Sequence, residues 1–167
     1  EQVASVTLPL SDHFLIELGL DQANAIHVIT EPLLSDMQLS KDEAFAIAIK
    51  NIHQLNEHPF QPLADGVYCS NVQDDHDAAR MLLKEQISAL SLNGHPVAVP
   101  INACTLLICG SDDPKAFEFI YNGIADFSEG HRPIAMRPLI LVDQQWQDYA
   151  PPKEEKFAAA NNLIALD

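Results

Sequence analysis

Extended runs come in pairs along this chain, and a single helical stretch separates each pair from the next. Phe14–Leu18 is a short apolar run ended by Gly19, and Ala25–Thr30 (AIHVIT) is rich in β-branched residues. Both read as strands, with Asp21–Asn24 as the turn between them. Ahead of them Val3–Leu10 carries Pro9 and reads as an edge strand or a loop. Glu31-Pro32 then bends the chain. Phe60–Ala64 and Val67–Ser70 flank the turn pair Asp65-Gly66, and Pro62 marks the first of them as an edge strand. Pro96–Ile101 and Thr105–Cys109 form a buried antiparallel pair about Asn102-Ala103-Cys104, and Leu139–Val142 with Trp146–Tyr149 form the last pair. A doubly wound parallel sheet needs strict strand–helix alternation, which this order does not show. The expectation is an α+β fold: a mixed, largely antiparallel sheet with helices packed mainly on one face.

Three helical patterns separate the pairs. Ser40-Lys41-Asp42-Glu43 is a capping box, in which the serine hydroxyl and the glutamate three residues on satisfy each other's amides. Behind it Phe45, Ala48, Ile49, Ile52 and Leu55 recur at spacings of three and four, which predicts one apolar helical face. His58 precedes Pro59, so this helix should end near Glu57. Ala79, Leu82, Leu83, Ile87 and Leu90 predict a second helix closed by Asn93-Gly94. Pro114 suits the first turn of a third, whose core face is Phe117, Ile120, Ile124 and Phe127. The expected organisation is one α+β domain over residues 1–150. Pro151-Pro152 then marks a break before a C-terminal tail, 151–167, of helical composition.

Charge is the outlying bulk property. With 9 Lys and Arg against 24 Asp and Glu, the formal net charge is −15. Such a field repels nucleic-acid phosphates and anionic lipid heads, and no apolar run reaches the about 18 residues of a membrane helix. Nucleic-acid and membrane partners are therefore not expected, and a basic protein is the partner this charge favours. The simpler reading of the charge is a solubility surface. The three cysteines, Cys69, Cys104 and Cys109, form no CxxC pair, which argues against a disulfide framework or a zinc site and for a reducing, cytoplasmic compartment. The chain begins at Glu1 rather than Met, which points to a segment removed ahead of it.

The segments DAARMLLKEQI and HPVAVPINACTLLICGSDDPKAF resemble the YtpQ-like family of uncharacterised bacterial proteins. An Ala-x-x-Leu-Leu helix, a V-A-V-P strand, an L-L-I strand and a D-D-P-x-A helix start carry the resemblance, in that order. LSKDEAFAIAIKNI and Trp146 extend it, from about Phe14 to Tyr149. The family implies a fold and no established activity. Its members tend to be longer at the N-terminus, and many carry charged residues where this chain has Asn102-Ala103.

Few residues offer chemistry. Asp74, Asp75 and Asp77, around His76, are carboxylates and an imidazole of the kind that hold a divalent cation. Adjacent residues seldom converge on one ion, and acids here also suit the positive end of a helix. No metal is therefore expected, and the aspartates are candidates for binding a partner. Arg132 and Arg137, in Gly130-His131-Arg132-Pro133 and Arg137-Pro138, form a small basic island able to grip a carboxylate or a phosphate, or simply to pair with local acids. Cys104 sits in the polar link between two strands, where a thiol is open to activation by a histidine; cysteines in apolar runs are more often core. No G-x-S-x-G, G-x-G-x-x-G, Walker A or HEXXH pattern occurs, and Gly is scarce at 6 residues, so no cofactor is expected. A non-catalytic binding module for a basic partner is favoured. An enzyme with a dispersed site using Cys104 or the Arg132/Arg137 island is the alternative. An assembly protein that pairs through its sheet edges is the third class.

Overall fold

The computed structural model describes residues 4–22, 25–55, 57–128 and 134–166. Its contacts gather in two compact units, Glu1–Leu55 and Asn56–Asp167.

The first unit contains β1 (Thr7–Pro9), β2 (Leu15–Glu17), β3 (Gly19–Gln22), β4 (Ala25–Val28), α1 (Glu31–Asp36) and α2 (Lys41–Leu55). β1 pairs antiparallel with β2, and β3 with β4. The run Leu15–Gln22 thus changes partner at Leu18. There the Leu18 amide donates to the Val6 carbonyl (3.1 Å), the Val6 amide to Ile29 (2.9 Å) and the Ile29 amide to Leu18 (2.9 Å), closing a ring of three backbone bonds. Val6, Leu18 and Ile29 are buried and join Leu34, Ala44 and Phe45 in this unit's core. Glu31-Pro32, expected only to bend the chain, opens α1 instead, with the proline in its first turn where no intrahelical N–H is needed. The capping box closes as expected: the Ser40 amide donates to Glu43 Oε2 (2.9 Å) and the Glu43 amide to Ser40 Oγ (3.3 Å). The Ser40 hydroxyl also donates to Glu43 Oε2 (2.6 Å), and that bond first, then the one from the Ser40 amide, holds the Glu43 carboxyl below its usual range. The predicted apolar face of α2 is only partly covered. Phe45 is buried, whereas Ile49 and Leu55 are exposed, because the small core meets only the first turns of the helix.

The second unit contains β5 (Gln61–Ala64), β6 (Val67–Ser70), a 3₁₀ helix (Ala78–Leu82), α3 (Lys84–Ser88), β7 (Pro96–Asn102), β8 (Thr105–Gly110), α4 (Pro114–Ser128), β9 (Leu139–Val142), β10 (Gln145–Asp148), a second 3₁₀ turn (Glu155–Phe157) and α5 (Ala158–Ile164). Its sheet runs β10-β9-β7-β8-β6-β5, antiparallel throughout, with the Pro62-bearing strand at one edge. The α+β class is the one the sequence implies. One sheet face carries Val67, Cys69, Val97, Val99, Ile101, Leu107 and Cys109 against Phe117 and Ile120 of α4 and Ala160 and Leu163 of α5. The opposite face carries Trp146, whose indole N–H donates to the Met81 carbonyl (2.9 Å) and so seats the 3₁₀ helix there.

The expected helix over 79–90 is broken in two. A continuous helix would offer the Met81 carbonyl to the amide four residues on. Trp146 takes it, and Leu83 turns out of helical geometry (ψ 60). The third helix starts as read: Asp113 Oδ1 accepts the Ala116 amide (3.1 Å) and Pro114 begins the helix. The segment after Pro152 is structural, with Phe157, Ala160 and Leu163 buried in the core.

Candidate functional site

The three candidate carboxylates, Asp74, Asp75 and Asp77, and Cys104 come together where the loop after β6 crosses the β7–β8 turn. The Ala78 amide donates to the Ala103 carbonyl (3.2 Å) and pins the two loops. At the centre is Arg80, fully buried and one turn from Asp77 on the 3₁₀ helix. Sequence reading passed over Arg80, because a lone arginine in an apolar helical pattern reads as a solvent-facing residue.

Asp77 is wholly buried and turned inward. Its Oδ1 accepts from Ser70 Oγ (2.5 Å), the Val72 amide (2.9 Å) and Arg80 Nη1 (3.1 Å), and its Oδ2 accepts from the Gln73 amide (2.9 Å). Asp74 grips the same guanidinium with both oxygens, Arg80 Nη1 at 2.8 Å and Nη2 at 2.5 Å, and also accepts the His76 amide (3.1 Å). These Arg80 bonds outweigh partial burial and hold the Asp74 carboxyl below its usual range. The loop reaches this arrangement through two left-handed residues, Gln73 (φ 61) and Asp75 (φ 62). The side-chain bonds to Asp77 offset that conformational cost. Arg80 Nε is the one buried side-chain nitrogen or oxygen without a hydrogen-bond partner among the described residues.

Asp75 is exposed, and its Oδ1 accepts from Cys104 Sγ at 3.0 Å. Cys104, expected at an open link, is in fact buried, because the Cys104 amide donates to Asn102 Oδ1 (2.8 Å) and folds the turn inward. Asn102 also donates to the Phe127 carbonyl (3.1 Å), so this polar link fastens α4 to the sheet. Burial, then the bond to Asp75, pushes the Cys104 thiol up. Burial also pushes Cys69 up to about 11, helped by the Asp77 charge, and Cys109 further still, helped by Asp113. The charges acting on all three thiols are carboxylates, which disfavour a thiolate.

Arg137 is half-buried ahead of β9, on the side of β7 away from β8 and β6. Arg132 lies outside the described residues, as do Gly130, His131 and Pro133. Beside the 71–77 loop is a shallow groove of about 290 Å³ between β5 and β6, lined by His58, Pro59, Gln61, Pro62, Leu63, Cys69, Asn71 and Val72. It is at the lower limit for a small-molecule pocket. Among the described residues no group of three or more His, Cys, Asp or Glu is placed to hold a metal ion, and no helix is long and apolar enough to cross a membrane.

The Asp74–Arg80 corner is therefore a structural knot, with Asp74 and Asp77 bonded inward and only the buried Arg80 Nε left without a partner among the described residues. Its acids are committed to one buried cation and to backbone amides, apart from Asp75. No family model, no curated protein and no solved structure matches the chain.

Proposed function

We propose that the chain is a non-catalytic protein-binding module whose partner is basic. The observation that carries this reading is the placing of its exposed apolar side chains. Eight of the twelve large hydrophobic residues exposed among the described ones lie in the first 55 residues. Apolar surface gathered on a small, acidic unit suits partner recognition, with charge steering the encounter and apolar contact holding it. The state of the three thiols gives the enzyme alternative through Cys104 no support.

The test is capture from lysate on the immobilised full chain, at low and at high salt, followed by identification of what is retained. A basic protein held at low salt and shed at high salt is expected. Its affinity should then fall with Glu17→Lys and Asp21→Lys, two exposed acids outside the Arg80 knot. Retention of nothing at either salt would remove the basis for a charge-steered partner.

A further inference from the structure

We propose that the outer edge of the run Leu15–Gln22 is the docking site, and that its occupant is an extended, basic strand of the partner. This rests on the protein-binding reading above and adds to it the surface and the geometry.

The edge follows from the hydrogen-bond ring at Leu18. That residue uses both its amide and its carbonyl, towards Val6 and Ile29, and the Phe14 carbonyl likewise accepts from Leu10 (2.9 Å). Backbone groups of successive strand residues point to opposite edges. The even-numbered residues of the run therefore face β1 and β4, and Leu15, Glu17 and Gly19 direct their amides and carbonyls the other way. β2 pairs only with β1 and β3 only with β4 among the described residues, so that outer edge meets no other strand. Beyond Leu18 the β3–β4 ribbon leaves the core, and all eight of its strand residues are exposed. A two-stranded ribbon is marginal by itself. Open edges are commonly protected by lysine or proline, and residues 19–28 contain neither.

Charge decides what pairs there. Residues 1–40 contain no Lys or Arg, against Glu1, Asp12, Glu17, Asp21, Glu31 and Asp36. A second copy of this edge would bring like charges together, which is unfavourable, whereas a cationic strand is drawn in. Alternation places Glu17 and Asp21 on one face of the run and Ile16 and Leu20 on the other. The occupant therefore carries Lys or Arg on the face that meets Glu17 and Asp21 and apolar residues on the face that meets Ile16 and Leu20. Main-chain bonds along Leu15–Gly19 supply affinity and the alternating side chains supply selectivity.

The experiment titrates the full chain with a short peptide of alternating lysine and valine, followed by calorimetry and amide exchange. Two controls are the same composition in helical spacing and the same peptide N-methylated at every second residue. Expected are slowed exchange at Leu15, Glu17 and Gly19, and affinity lower by about tenfold or more for either control and for the Glu17→Lys/Asp21→Lys variant. If the N-methylated or helical peptide binds equally well, edge pairing is wrong while charge-driven partnering stands. If no cationic peptide binds at low salt, both readings fall. If the same amides become protected with rising protein concentration and no peptide, the occupant is a second copy and the basic strand is overturned.

Discussion

The Arg80 knot shows how an acidic cluster loses its availability one oxygen at a time. Asp77 alone serves two side chains and two backbone amides. Removing one member of such a buried pair strands the other. Asp77→Ala should destabilise the second unit by about 3–5 kcal/mol in urea unfolding. Asp74 gives the knot a pH dependence. Its folded pKa is below the ordinary value, so its contribution is present above about pH 4 and is lost as pH falls through the lowered folded value. Asp74→Asn should flatten that acid limb of a thermal-denaturation series and leave a pH-independent loss at neutrality. The thiols make a third prediction. Iodoacetamide at neutral pH should label Cys69, Cys104 and Cys109 only after unfolding, as read by mass spectrometry. Rapid native labelling of Cys104 would restore the enzyme alternative. Burial of Cys69 and Cys109 was legible in the apolar runs that hold them, and the knot was not. Asp74, Asp75 and Asp77 read as outward acids because adjacency says nothing of which carboxylate finds a buried partner, and that partner, Arg80, carries no signature of burial.

At the scale of elements, local chemistry was legible and tertiary competition was not. The capping box at Ser40, the Asp65-Gly66 hairpin turn and Pro114 at a helix start act within a few residues, and each forms as its residues dictate. The second helical pattern failed because its break is imposed by Trp146, 65 residues away in sequence from Met81. The open face of α2 failed for a related reason, since periodicity states that a face is apolar and not what covers it. The C-terminal segment is the clearest case of a local pattern acquiring its meaning from packing. Phe157 meets Phe117 edge-on (6.4 Å between ring centres), and Leu163 is fully buried. Leu163→Ala should therefore cost about 2–5 kcal/mol in equilibrium unfolding, a loss that a loose tail would not give.

The whole molecule divides its stability unevenly. The second unit has a six-stranded sheet with helical cover on both faces, whereas the first rests, among the described residues, on six buried ones around one ring of backbone bonds. Opening free energy follows the extent of buried apolar packing. Amide exchange across 4–55 should accordingly be faster than in β7 and β8 of the second unit, with the ribbon fastest. Equal protection in both units would contradict that ordering. Fold class was readable at this scale because strand pairing is a property of order along the chain. The division at Leu55 was not, because no Gly- or Ser-rich linker marks it.

Trp146, seated on the Met81 carbonyl, has a consequence for how the molecule interacts with light. It is the only tryptophan, and Tyr68, Tyr121 and Tyr149 also lie after residue 55. The first unit absorbs in the near ultraviolet through Phe14 and Phe45 alone. Indole emission is therefore a natural dye confined to one half of the chain. A ligand that releases heat and leaves the emission unchanged has bound away from the Trp146–Met81 contact, and a spectral shift means that the second unit has responded.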